Sequence, residues 1–188
     1  RPIRIQICDL VNPNTSVIEF GCGNGDLLFK LSEKIEYGLG IDISKDLIKY
    51  AINKSYKYTN DNLSFKKFDL NSSLGVFKKY DYSIVSLLLH ILPWENAIKI
   101  LKLILEISNT TIVCSFTEPK TLKEKLLLNL DQRFTKHYSN FKIFINKNGI
   151  DGMIEEINQT SFNIEIIKTF DSSINIYYFT KNRNIIQV

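Results

Sequence analysis

Short apolar runs alternate along the chain with stretches whose apolar residues recur every three or four positions, the pattern of strands interleaved with amphipathic helices. Ile3, Ile7, Leu10 and Val11 share one helical face, and Asn12-Pro13-Asn14 ends that helix. Val17-Ile18-Glu19-Phe20 reads as a buried strand, and Leu27, Leu28, Phe29 and Leu31 continue at helical spacing, predicting a helix from about Asp26 to Lys34. Tyr37 to Ile43 is a second strand, after which Ser44 is an N-cap for a helix over Lys45 to Lys54. A polar loop, Tyr56 to Asn62, leads to a third strand, Leu63 to Phe68, closed by Asp69-Leu70-Asn71. Tyr80 to Leu88 is almost wholly apolar, as a central parallel strand buried on both faces should be. A helix over Trp94 to Ile107 and a fifth strand, Thr110 to Phe116, follow. Leu122 to Phe134 reads as a helix, Phe141 to Ile145 is ambiguous, and Gly149 to Asn158 is a short helix. Phe162 to Phe170 and Ile174 to Thr180 are strands joined by Asp171-Ser172-Ser173, short enough for an antiparallel pair. With no internal repeat and no linker, residues 1–188 read as a single domain.

The first strand runs into Gly21-Cys22-Gly23-Asn24-Gly25-Asp26, three glycines at alternate positions. Glycine tolerates positive φ and has no Cβ, so this loop can turn tightly and offer bare backbone to a ligand. Strand, glycine loop and helix are the grammar of a nucleotide site in an open α/β sheet. The dinucleotide fingerprint needs a small residue where Asp26 stands, which disfavours a nicotinamide cofactor. A tight strand-to-helix turn without a ligand is the plain alternative. The run Glu19-x-Gly21-x-Gly23-x-Gly25 closely resembles the first motif of class I S-adenosylmethionine (SAM)-dependent methyltransferases, and the order of elements extends the resemblance over nearly the whole chain. It implies an α/β, Rossmann-like three-layer sandwich with a seven-stranded, mostly parallel sheet in the order 3-2-1-4-5-7-6 and strand seven antiparallel.

On this resemblance, Glu19 and the loop residues Gly21, Cys22, Gly23 and Gly25 line the methionine part of SAM. Asp42 matches the ribose ligand and Ile43 the apolar residue against adenine. Asp69 and Leu70 match the pair that reads the adenine edge, and Leu87, within the fourth strand, is counted among the cofactor-binding residues. Each acid has a structural alternative: Glu19 neutralising a helix start, Asp42 capping the next helix, Asp69 shaping a turn before Asn71. His90, in Leu88-Leu89-His90-Ile91-Leu92, resembles the histidine segment of small-molecule methyltransferases and is the candidate base; burial against Trp94 is its structural alternative. That segment lacks the Asn/Asp-Pro-Pro-aromatic signature of amino-methylating DNA enzymes. Cys22 and Cys114 are not placed as the nucleophile of cytosine-C5 enzymes.

Composition narrows the setting. Three scattered cysteines and two histidines indicate neither a disulfide framework nor a metal cluster, and with no secretory signal visible a reduced, cytoplasmic protein is expected. The densest apolar stretch, Ser83 to Leu92, is interrupted by Ser86 and His90 and is short of a membrane span. A net charge of +4 permits a nucleic-acid partner without demanding one. The chain opens on Arg1 rather than Met, which leaves residues ahead of it open, and nothing indicates an oligomeric state. Glu118 to Lys147, with Leu126-Leu127-Leu128, Arg133, Lys136, His137, Tyr138, Phe141 and Phe144, is read as an insertion that acts as a lid or cover. The resulting expectation is a SAM-dependent methyltransferase, releasing S-adenosylhomocysteine (SAH), that acts on an O or N atom of a small molecule. The alternatives are an RNA or protein methyltransferase and a non-catalytic SAM-binding module.

Overall fold

The computed structural model describes residues 2–70, 78–132, 135–157 and 161–182. Expectations that fall on Asn71, Arg133, Phe134 and Asn158 lie outside the described residues. Strands Ser16–Phe20 (β1), Tyr37–Asp42 (β2), Leu63–Lys67 (β3), Tyr80–Ser86 (β4), Ser108–Phe116 (β5), Phe162–Lys168 (β6) and Ile174–Lys181 (β7) form one sheet in the order β3-β2-β1-β4-β5-β7-β6. The first five pair in parallel, and β7 runs antiparallel to β5 and β6. This is the topology expected from the sequence.

The helices are Ile3–Leu10 (α1), Asp26–Leu31 (α2), Lys45–Lys57 (α3), Trp94–Ile107 (α4), Leu122–Gln132 (α5), Tyr138–Asn146 (α6) and Gly149–Ile157 (α7). Right-handed crossovers put α2 and α3, which link β1 to β2 to β3, on one face, and α4, which links β4 to β5 in the opposite direction, on the other. The central strands are buried on both sides, with Ile18, Phe20, Ile84, Val85, Ile112 and Val113 fully inside. Beneath α4 the Ser83 hydroxyl meets those of Ser108 at 2.7 Å and Thr111 at 2.8 Å, and it also donates to the Ile104 carbonyl, so a polar cluster in the core is satisfied internally.

Several boundaries differ from the sequence reading for local reasons. α2 stops at Leu31, short of Lys34, where the Asn62 amide draws the Ser32 and Ile35 carbonyls to itself. α3 continues three residues past Lys54 to Lys57, and the Tyr58 N–H closes its last turn on the Lys54 carbonyl. β4 ends at Ser86 because Leu87 takes φ +53°, peeling the chain off the sheet into a single 3-10 turn at Leu89–Ile91. The ambiguous Phe141 to Ile145 lies inside α6, which buries Phe141, Phe144 and Ile145. Among the described residues no helix is long and apolar enough to cross a membrane.

Candidate functional site

β1 and β4 are neighbours, but the chain leaves β1 toward β2 and leaves β4 toward β5, which opens a crevice at their carboxyl ends. The glycine loop lies there. Gly21, Gly23 and Gly25 have φ of +71°, +55° and +78°, the left-handed region that glycine enters without a Cβ clash. The Gly21 and Cys22 N–H groups both donate to the Ile41 carbonyl, tying the loop to β2. A Cβ on Gly21 would come 3.0 Å from Leu88, and one on Gly25 would come 2.6 Å from the Phe65 ring. A Cβ on Gly23 would meet nothing within 4 Å, so this residue turns its bare backbone to open space.

Asp42 holds that loop in shape. Its Oδ2 accepts from the Gly23 N–H at 2.9 Å and its Oδ1 from the Ser44 N–H at 2.8 Å, so one carboxylate fastens the loop and the start of α3 together. Asp26 works on the other flank. It pairs with Lys54 at 3.0 Å and accepts from Asn24; burial opposes its charge, but these bonds outweigh burial and hold its carboxyl below the usual range. The residue that spoils the dinucleotide pattern is thus a brace between α2 and α3.

A hollow of about 560 Å³ opens over the loop. Arg4 from α1, Glu19, the backbone from Gly21 to Asn24, Leu87 and Phe170 form its walls. Glu19 is 5% exposed, and its Oε2 has no hydrogen-bond partner among the described residues. Burial raises its pKa to about 8; Arg4 counteracts this, while Asp42 and Asp26 add to it. Cys22, buried in the same wall, has its thiol pushed up by desolvation and then by Glu19, the opposite of what a nucleophile requires. Leu87, a non-glycine residue at positive φ, forms the lip over β4, its N–H bonded to the Cys114 carbonyl.

Of the residues singled out from sequence, Glu19, Gly21, Cys22, Gly23 and Leu87 meet in this hollow. Gly25 and Asp42 are not among the residues that line it; Asp42 fastens the loop through the Gly23 N–H, and Gly25 packs against Phe65. Ile43, 58% exposed, and the half-buried Asp69 and Leu70 follow the ends of β2 and β3, which adjoin through the Phe68 N–H on the Asp42 carbonyl. His90 is not among the residues that line the hollow. It is buried in an aromatic cage, its ring centroid 4.9 Å from Phe116, 5.7 Å from Phe141 and 6.2 Å from Phe144, and its Nδ1 has no partner among the described residues. Burial, with a smaller push from His137, lowers its pKa to about 4. Beside it the Asn140 amide donates to the Ile91 carbonyl, so α6 grips the turn that carries His90. Sequence reasoning missed Arg4, Lys30 and Phe170, all of which border the hollow. They come from α1, α2 and the loop after β6 and carry no motif; only the position of α1 just ahead of the glycine strand hinted that a charge there could reach the loop.

A family model described as a methyltransferase domain matches residues 11–171. The chain is 39% identical over 83 residues to putative methyltransferase 235L of Invertebrate iridescent virus 6, a match covering 43% of this chain and 28% of that protein. It is 30% identical over 92 residues to an rRNA adenine N-6-methyltransferase of Limosilactobacillus reuteri, covering 46% of this chain and 37% of that one. These matched stretches amount to about a third of each relative's length. In three dimensions the chain is similar to magnesium protoporphyrin IX methyltransferase of Synechocystis PCC 6803 with bound SAH, at a TM-score of 0.66 and 20% identity, over 95% of this chain and 79% of that one.

Proposed function

The chain belongs to the methyltransferase-domain family, and from that premise we propose that it transfers a methyl group from SAM to an O or N atom of a small-molecule acceptor. The observation that carries the cofactor reading is the hollow itself. A buried carboxyl with an orphaned oxygen, an arginine and open glycine backbone share one wall system, the donor set a zwitterionic amino-acid end calls for. Glu19 would receive the ammonium, and Arg4 with the Gly23 backbone the carboxylate. Asp42 keeps free lone pairs for ribose hydroxyls, and Ile43 with Asp69 and Leu70 borders the adenine.

Bound there, SAM supplies a methyl already activated by a sulfonium. The protein's share is to align the acceptor and keep water out. Leu87 and Phe170 at the mouth favour an acceptor with an apolar body, and α5 with α6, in the 118–147 segment, we read as its cover. His90 we read as a positioning residue rather than the base: burial makes its ring only weakly basic, it does not line the hollow, and its contacts are to the aromatic rings that seat α6. An acceptor atom that arrives unprotonated needs no base.

An RNA acceptor is the second reading. The rRNA-modifying relative favours it. Incubation with methyl-labelled SAM and cell extract separates the readings. A labelled low-molecular-mass product other than SAM supports a small acceptor, and label in RNA supports the second reading. Tight SAH binding with label in neither, nor in protein, supports a non-catalytic module.

A further inference from the structure

Glu19 is the one carboxyl of the cofactor hollow that is both deeply buried and missing a hydrogen bond. The charged groups around it come from each element packed against it. Arg4 on α1 and Lys30 on α2 line the same hollow, yet among the described residues neither closes an ion pair with it. Asp26 on α2 and Asp42 at the end of β2 carry the same charge as an ionised Glu19; the first is engaged by Lys54 and the second by two backbone N–H groups. Cys22 beside it has its thiol held neutral. An anion in this position is desolvated, and the unpaired attraction of Arg4 does not offset that burial, an arrangement that favours the protonated acid.

We propose that Glu19 is a neutral acid in the ligand-free protein and releases its proton to solvent as the cationic ammonium of the cofactor's amino-acid end settles against it, so that cofactor binding and proton release at this carboxyl are a single event. The inference rests on the cofactor reading above. The balance is simple: the carboxyl O–H bond breaks, its electron pair stays on the carboxylate, and the proton goes to buffer. The ammonium keeps all its protons. One positive charge enters the hollow and one leaves, so at this carboxyl the buried net charge does not change. The raised pKa of Glu19, about 8, agrees with this geometry.

The test is calorimetric titration of the full chain with SAH at about pH 6.5, where the ligand's own amino group is fully protonated, in buffers of low, intermediate and high ionisation enthalpy. Plotted against buffer ionisation enthalpy, the binding enthalpy of the wild type should show release of about one proton. Glu19→Gln should bring that number close to zero. So should titration of the wild type with 5′-methylthioadenosine, which keeps the nucleoside and sulfur but lacks the amino-acid end; this arm decides the matter if the variant does not fold. The apparent SAH affinity of the wild type should also rise close to tenfold per pH unit on the acid side of neutrality. SAH binding without proton release, or release retained in Glu19→Gln, overturns the proposal. A chain giving neither heat nor thermal stabilisation with SAH overturns the cofactor reading and this inference with it, a result distinct from binding without proton release.

Discussion

Both oxygens of Asp42 accept backbone N–H groups, from Gly23 and from Ser44, so the residue expected to meet a ribose also builds the loop beside it. The two roles are compatible because each carboxylate oxygen has a second lone pair. Asp42→Ala should therefore weaken SAH binding by about 1–3 kcal/mol and lower the melting temperature as well. A folded Asp42→Ala protein with unchanged affinity in calorimetric titration would remove the ribose role. The glycines separate ligand from fold more cleanly. Gly23→Ala adds a Cβ that meets no neighbour, so its stability cost is that of positive φ alone, roughly 1–2 kcal/mol, while SAH affinity should drop sharply. Gly25→Ala carries the same backbone strain and also drives a Cβ against Phe65, so it should be the less stable of the two in urea denaturation. The reverse order would mean that the loop relaxes differently from its present shape. The glycines and Glu19 were legible because their spacing is itself the chemistry. Arg4 was not, since a single cation on a short amphipathic helix looks like any solvated residue until the fold sets it beside Glu19.

The order of strands could be read from the alternation of apolar runs and helical spacings, because right-handed crossovers leave few ways to lay such a chain into a sheet. Boundaries were harder where partners distant in sequence decide them. Asn62 ends α2 from thirty residues away, and the turn after β4 depends on Leu87 donating to Cys114 on the next strand. The segment that forms α6 is ambiguous from sequence although Phe141, Phe144 and Ile145 have helical spacing, because the short apolar run Phe141 to Ile145 fits a strand equally well. That helix carries a prediction. His90 has its pKa lowered from 6.5 to about 4, so the folded state holds it neutral where the unfolded chain protonates it. Its contribution is complete above pH 6.5 and is lost as pH falls toward about 4. Thermal melts across that range should show an acid limb that His90→Gln flattens, at some cost in stability near neutrality from lost ring packing. An equally steep limb in the variant would exclude His90 as its source. Turnover with the variant should retain the pH dependence of the wild type if the residue positions α6, and change its profile if it is a base.

For the molecule as a whole, two of its buried titratable groups, His90 and Glu19, act on stability in opposite directions. His90 favours the fold as pH rises, whereas Glu19, raised from 4.5 to about 8, binds a proton in the folded state that the unfolded chain has already given up. Between those two values Glu19 makes the ligand-free protein less stable as pH increases, with a limiting slope of ~1.4 kcal/mol per pH unit and none beyond about 8. Above 6.5 the His90 contribution is flat, so a decline in melting temperature from there toward 8 belongs to Glu19 and should be absent in Glu19→Gln. Saturating SAH changes the sign of the problem, because a carboxylate paired with an ammonium no longer needs its proton. The stabilisation conferred by a fixed excess of SAH, read as the rise in melting temperature, should then grow as pH increases from about 6 to 7.5, since binding tightens while the ligand-free reference weakens. A ligand-induced rise that stays level across this interval, in a protein that binds SAH throughout, would show that the Glu19 charge is the same in both states.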